Sequence, residues 1–383
     1  MSTKTEKLYY DNAYTSDFYA SVISTARVDG GFDVILDKTA FFPEEGGQSA
    51  DIGYIAESRV LDVYEKEGVI HHITDTEPSP GEHWCSIDFD ARFEKMQCHT
   101  AEHILCGIIH SLFGFDNVGF HLGDDEVTFD VSGVLDRSQL DRIEEMANDV
   151  VFSNIQVEAF FPPEKKLPYI KYRAKLDITE GVRLVRIGEV DTCACCAPHV
   201  SYTGEIGIIK ILDFMKHRGG TRIWMVAGKR ALRDYSSRYD NIKKISGMLS
   251  TPQSEVADTL RSYMTESESF KASLKAARLK IAELEAERVE PTDKSKVFVL
   301  SDFTIPELIA FSNIANKRVG GITVALSGSE GDYKYVISSE SIDLRAMTKD
   351  INSTLGGRGG GRPEMIQGSF ATTLDEIKAY FEK

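Results

Sequence analysis

The stretch MQCHTAEHILCGIIHSLFG, Met96 to Gly114, decides how the chain is read. Its apolar residues recur at helical spacing and a glycine follows the last of them, so the pattern predicts a helix closed by Gly114. On such a helix His99 and His103, four residues apart, share a face and can each turn a ring nitrogen toward one ion about 2 Å away. Cys106 and His110 continue the stripe, but His110 falls roughly 10 Å further along the axis than His103, and core packing is the expected role of both. A lone H-x-x-x-H arises often by chance, and two hydrogen-bonded core histidines would account for it.

A second stretch changes that balance. DTCACCAPHV, Asp191 to Val200, supplies thiols and an imidazole in a strand-and-turn context, and Cys195 with His199 repeats the four-residue offset. Thiolate and imidazole are borderline-soft donors that suit zinc better than calcium or magnesium. Six cysteines are sparse for 383 residues, and Cys193, Cys195 and Cys196 crowd into four positions, which points to metal or redox chemistry instead of a disulfide framework. The redox alternative, the C-x-x-C of Cys193 and Cys196, does not open a helix after a strand as thioredoxin-type motifs do. His99 to His103 also spells H-x-x-E-H, the inverted zinc-protease motif with Glu102 as general base, a reading that leaves the cysteines unexplained.

Around these stretches the chain reads as α+β in four parts. Residues 1–93 alternate with period two between Gly-Gly and Pro punctuation, the pattern of a small β-barrel or sandwich. Residues 94–235 mix helix and strand signals. In residues 236–290 Val256, Leu260, Tyr263, Phe270, Leu274, Ala277, Ile281 and Leu284 step by fours and threes, a heptad seam on an arm roughly 45 Å long. That arm packs either along its own domain or in an intermolecular coiled coil. Residues 291–383, after Pro291 ends the arm, make a separate α/β unit with a Gly-rich loop.

No run of eighteen apolar residues occurs, and the N-terminus lacks a signal-peptide pattern, so a cytoplasmic protein without a membrane partner is expected. The net charge of -16 would on average repel phosphate, so any RNA contact must be local. Lys and Arg do cluster at Glu164–Lys175, Lys216–Arg222 and Gly356–Arg362.

Four motifs in register, FFPEEGGQSADIG (Phe41 to Gly53), HTAEHIL (His99 to Leu105), CCAPHV followed by TGEIG (Cys195 to Gly207), and GGRGGGRPEMIQGSF (Gly356 to Phe370), together resemble the long-form AlaX proteins. These are freestanding relatives of the editing and C-terminal domains of alanyl-tRNA synthetase. The resemblance implies an N-terminal β-barrel (1–93), a zinc-containing α/β editing domain (94–235), a helical arm (236–290) and a C-terminal domain that binds tRNA or dimerises (291–383). It implies one Zn2+ per chain on His99, His103, Cys195 and His199, although Cys196, Ala197 and Pro198 stand where the family often has glycines and a threonine. Gly46, Gly47 and Gln48 fall on the editing pocket, with Glu45 where a further small residue is common. In GFHLGDDEVTFD, His121 and Thr128 are the polar candidates of a substrate-sensing segment, so Gln48, His103 and His121 are implied as catalytic and Thr128 as substrate-binding.

The implied reaction is ATP-independent hydrolysis of serine, or glycine, from mischarged tRNA(Ala). Zinc-assisted attack of water on the ester needs no separate nucleophile. Arg358 and Arg362 are implied phosphate contacts to the tRNA, and a homodimer through the arm or the C-terminal domain is an implied option. Two other functions stay open on the residues alone: an H-x-x-E-H metalloprotease, and a non-catalytic RNA-binding protein with structural zinc.

Overall fold

The computed structural model describes residues 4–123, 126–174 and 181–382. It is α+β and divides into two units, Met1–Asn241 and Ile242–Lys383. In the first, β1 (Glu6–Lys7) and one helical turn α1 (Leu8–Asp11) precede β2 (Asp17–Val28), β3 (Gly31–Leu36) and β4 (Lys38–Thr39), the last paired in parallel with β1. Strands β5 (Gly53–Ile55), β6 (Ser58–Lys66), β7 (Val69–Thr74) and β8 (Gly81–Ile87) join β2 and β3 in a ring ordered β2-β3-β7-β6-β5-β8, which β8 closes on β2. Alternation turns Val34, Leu36, Ile55, Val60, Val63, Ile70 and Cys85 inward, so side chains fill the ring.

Helix α2 (Phe89–Phe113) carries the H-x-x-x-H pair. Asp88 caps it by accepting from the Ala91 amide, and Gly114 ends it at φ 69°, a left-handed conformation that glycine adopts without a Cβ penalty. Every residue from Lys95 to Ile109 is buried. Two antiparallel sheets and a helix surround it: β9 (Asn117–Leu122), β10 (Val127–Val131), α3 (Arg137–Phe152), β11 (Val157–Phe160), β12 (Leu184–Ile187), β13 (Asp191–Ala194), β14 (Ile209–His217) and β15 (Gly220–Ala227), with sheet orders β14-β15-β10-β9 and β11-β12-β13. A helix buried all round must satisfy its polar residues internally. Arg92 accordingly pairs with Asp51 and reaches the Ala13 and Ala40 carbonyls, and Gln97 bonds Glu205 O and the Lys229 amide.

Helix α4 (Gly228–Leu249) spans the boundary between the units and is followed by α5 (Val256–Glu287). The arm expected over 236–290 is thus two helices, the first beginning at Gly228. Ser250, at φ 51°, leaves the right-handed region, and Pro252 lacks the amide a continuous helix needs. The last turns of α5 pack Ala282 and Ala286 against Leu308 and Phe311, and Arg278 holds Glu307 at 2.6 and 2.8 Å. Of the heptad positions Val256 is buried, but Leu260, Tyr263, Phe270, Leu274, Ile281 and Leu284 are exposed, so within the described chain most of the seam is uncovered.

The rest of the second unit comprises β16 (Lys296–Val299), α6 (Ile305–Ala315), β17 (Thr323–Ser329), β18 (Asp332–Ser338), α7 (Leu344–Thr354), β19 (Gly357–Arg362), β20 (Met365–Phe370) and α8 (Leu374–Phe381), with the sheet ordered β16-β17-β18-β20-β19. The Gly-rich stretch is a correction to the sequence reading. It is the edge strand β19, paired with β20 from Gly357↔Phe370 to Arg362↔Met365, and not a loop. Its composition answers to packing. Tyr335 stacks on Phe370 with centroids 4.1 Å apart, and its hydroxyl would lie 2.2 and 2.8 Å from a Cβ at Gly359 or Gly368. Arg358 and Arg362, four apart on this strand, share a face and are both exposed. No described helix is long and apolar enough to cross a membrane.

Candidate metal centre

Two elements distant in sequence build one cluster. Helix α2 presents His99 and His103, and the loop after β13 presents Cys195 and His199, with all four ligand atoms within 4.8 Å of one another. Cys195 Sγ lies 3.6 Å from His99 Nε2 and 3.3 Å from His199 Nε2. A tetrahedron with a metal–sulfur bond of about 2.3 Å and metal–nitrogen bonds of about 2.05 Å has sulfur–nitrogen edges of about 3.6 Å. Arg183 shapes the loop by donating to the carbonyls of Cys195 (3.0 Å) and Ala197 (2.8 Å).

The outer nitrogen of each imidazole fixes what the inner one offers. Nδ1 of His99 meets the acceptor Gln48 Oε1 at 2.9 Å. Thr100 donates its hydroxyl proton to Met96 O at 2.8 Å, so at 3.0 Å it can only accept from His199 Nδ1. Nδ1 of His103 lies 3.3 Å from Asp191 Oδ2, an ion-pair contact off the line of an ideal hydrogen bond. Acceptors at all three Nδ1 atoms put the protons there and leave three Nε2 lone pairs converging with a sulfur. Three buried imidazoles and a half-buried sulfur facing one another suit a cation, and the donor set suits zinc.

Electrostatics agree. Burial would raise the Cys195 thiol, yet His99, His199 and His103 hold it well below its ordinary value. Burial would lower His103, yet Cys193, Asp191 and Cys195 raise it well above, so a cation entering the cluster must displace a proton from this ring. Burial pushes His199 down to about 3, so it is the neutral imidazole a metal requires. A second group, His103, Asp191 and Cys193, also clusters, but the Arg173 guanidinium grips both Asp191 oxygens at 2.8 Å and occupies the place a second cation would take.

A cavity of about 600 Å³ opens beside the cluster, with His99, His103, Cys195, Glu45, Gly46 and Glu102 in its wall. Glu45 and Gln48 exchange backbone hydrogen bonds around Gly46 (φ 65°) and Gly47 (φ 88°), a two-residue turn with both central residues left-handed. Gly47 spends its missing side chain on the chain itself, since a Cβ there would lie 2.3 Å from Phe120 O.

The structure brings His99, His103, Cys195, His199, Gly46, Gly47 and Gln48 together. Gln48, expected on the pocket wall, is fully buried behind His99 and does not line the cavity. His121 and Thr128 are not brought to the cluster. They pair across β9 and β10, one residue out of phase with Phe120, whose ring lies 4.7 Å from His99, so alternation turns them to the other face. Arg358 and Arg362 belong to the second unit. Cys106 is buried, but His110 is exposed and pairs with Asp116 at 3.0 Å instead of packing in the core. All six cysteines are free, so Cys193 and Cys196 form no disulfide. Glu102 Oε1 accepts from Asn117 and, at 3.2 Å, from Cys106, while the further ligand atoms come from Cys195 and His199 where the inverted protease motif needs a carboxylate.

Sequence reading missed Thr100, Asp191, Arg173 and Arg183 as supports of the cluster. Two carried a usable signal: Thr100 interrupts the H-x-x-x-H pair on an apolar helix, and Asp191 opens the cysteine stretch.

Residues 182–231, which include Cys195 and His199, match the family described as the threonyl and alanyl tRNA synthetase second additional domain. The chain is 31% identical to an alanine–tRNA ligase of Hyperthermus butylicus over 94% of its own length and 42% of that protein, and 33% identical to one of Halobacterium salinarum over 86% and 38%. It therefore spans about two fifths of these ligases. With the alanyl-tRNA editing protein AlaX-L of Pyrococcus horikoshii it shares 29% identity over 97% of its own length and 96% of the relative. The likeness to AlaX-L runs through both halves of the metal cluster and on through the second unit, and with the matched synthetase domain it supports a freestanding alanyl-tRNA editing protein.

Proposed function

We propose that the chain is a zinc-dependent deacylase that removes serine, or glycine, from mischarged tRNA(Ala), in the cytoplasm and without ATP. The observation that carries the reading is the convergence of three Nε2 atoms and one thiol at the wall of an open cavity. When bound, zinc supplies Lewis-acid polarisation of the ester carbonyl and acidifies water. His99, His103, Cys195 and His199 would hold it, one ion per chain, and Gln48, Thr100 and Asp191 keep their rings aimed. Glu45 and Glu102 in the cavity wall give the α-ammonium of an aminoacyl ester a complementary field. Selecting serine over alanine is the favourable direction, because a wall built to bond a hydroxyl is left unpaired by a methyl group, a penalty reaching roughly 10⁴-fold. In the second unit Arg358 and Arg362 serve as a phosphate handle, and the exposed seam of α5 is the face on which two copies would pair.

The test is release of serine from Ser-tRNA(Ala), with Ala-tRNA(Ala) as control, by the wild type and by His103→Ala. Release of serine alone, lost in the variant, supports the proposal. No release by a folded, zinc-loaded protein sinks it and favours RNA binding around a structural ion.

A further inference from the structure

The geometry points to the segment 161–173 as a docking strip for the single-stranded 3′ end of an RNA, laid so that its last nucleotide enters the cavity beside His99, His103 and Cys195. The inference deepens the deacylase reading and rests on it for the identity of the ligand.

The charge of this segment runs against that of the chain. Against a net -16 overall, it holds Lys165, Lys166, Lys171 and Arg173 with Glu164 as its one acid. The three lysines are exposed and make no ion pair with a described residue. Lys175, which closes the same basic cluster in sequence, lies outside the described residues. A local positive surface is what RNA needs on an otherwise repelling protein.

The aromatic residues supply the second half of the argument. Tyr169 is 88% exposed and Phe161 52%, so neither ring is buried by the described chain. Phe161 meets Tyr10 edge to face at 5.4 Å, the Arg183 guanidinium lies 5.2 Å above the Tyr10 ring, and Tyr10, Phe161 and Tyr172 continue into the cavity wall. Rings interleaved with cations along a groove are the usual platform for unpaired bases, whereas a duplex hides its base faces.

The strip is also preformed. Pro162, Pro163 and Pro168 restrict its backbone, and a short 3-10 turn at Leu167–Tyr169 closes through Tyr169 N to Lys166 O at 3.0 Å. At its end Arg173 exchanges backbone hydrogen bonds with β13, donating to Thr192 O and accepting from the Ala194 amide, both at 2.8 Å, the second one residue from Cys195. Ordering entropy is thus spent before RNA arrives.

The test uses the full chain and fluorescence anisotropy of a labelled RNA hairpin, with either a four-nucleotide 3′ overhang or a blunt end. The expected result is that wild type prefers the overhang. The triple variant Lys165→Glu, Lys166→Glu, Tyr169→Ala should bind the overhang at least about tenfold more weakly, with a salt slope shallower by roughly 1.4 for two lost phosphate contacts. Tyr169→Ala alone guards against a folding defect and should lose affinity without changing the slope. Arg142→Glu, a single charge reversal on α3, should bind as wild type. Equal wild-type binding of both hairpins, or variants that bind the overhang as wild type does, overturns the strip, as does capture of an acidic peptide with RNA binding unmoved. Serine release is read separately. Its absence in wild type, with overhang binding lost in the variants, sinks the deacylase reading and keeps the strip; release by wild type, with binding and KM unmoved in the variants, sinks the strip alone.

Discussion

Gln48 Oε1 accepts from Nδ1 of His99 at 2.9 Å, so Gln48 acts on the metal cluster through an imidazole and not through the cavity wall. A hydrogen bond to the outer nitrogen fixes both tautomer and ring angle, and losing such a partner lowers metal affinity by about 10- to 100-fold. Gln48→Ala should therefore bind zinc that much more weakly in a chelator competition, while Gln48→Glu, which keeps an acceptor, stays within a few-fold of wild type. Wild-type affinity in the alanine variant would refute the relationship.

The Arg173–Asp191 pair predicts an asymmetry in stability. Asp191 is buried, is held below the ordinary carboxylate range despite its burial, and takes Arg173 on both oxygens. Removing the cation leaves a buried carboxylate beside His103, and breaking such a pair costs about 3–5 kcal/mol. Arg173→Ala should lower the urea midpoint accordingly, whereas the double variant Arg173→Leu, Asp191→Leu recovers most of the loss and forfeits zinc affinity instead. Equal loss in both would show that packing, not the stranded charge, sets the effect.

The two glycines of the turn should respond unequally to alanine. At Gly46 a Cβ meets only Cys196 Sγ, at 3.7 Å, so the penalty is the left-handed conformation, about 1–2 kcal/mol. At Gly47 the same penalty is joined by a clash with the Phe120 carbonyl, which belongs to the β9 backbone and cannot swing aside. Gly47→Ala should thus destabilise the protein more than Gly46→Ala and displace β9, seen as amide shifts from Val118 to Leu122. Identical denaturation curves for the two variants would contradict this.

What the sequence disclosed and what it hid divide along a physical line. Covalent spacing made His99, His103, Cys195 and His199 readable, because a four-residue offset constrains where ligand atoms can meet on each element. The strand alternation before Ile87 and the stop at Gly114 are local properties as well. The supports are different. Asp191, Thr100 and Gln48 meet their imidazoles only after elements 51 to 99 residues apart pack together, and no periodicity encodes those meetings. The Gly-rich segment misled for a related reason. Glycine composition reads as a loop, whereas here it makes room for Tyr335, a residue from another strand. The heptad seam showed which α5 residues are apolar and could not show that most of them stay exposed within the described chain.

His72 predicts how stability should depend on pH, away from the metal. It is fully buried in the barrel, where Nδ1 donates to Val34 O at 3.0 Å and Nε2 lies 2.9 Å from Thr39 Oγ1, and burial pushes its pKa from 6.5 down to about 4. The unfolded chain takes up a proton below about pH 6.5, but the folded one resists until about pH 4, so across this window the unfolded state binds more protons. Stability from this residue is complete above pH 6.5 and is lost on acidification at up to about 1.4 kcal/mol per pH unit, about 3 kcal/mol by pH 4. Urea midpoints between pH 7.5 and 4.5 should fall more steeply for wild type than for His72→Gln, whose amide can keep a donor and an acceptor in the same place but cannot titrate. Parallel curves would mean that the buried ring is already charged or that water reaches it, and would remove His72 from the acid sensitivity of the barrel.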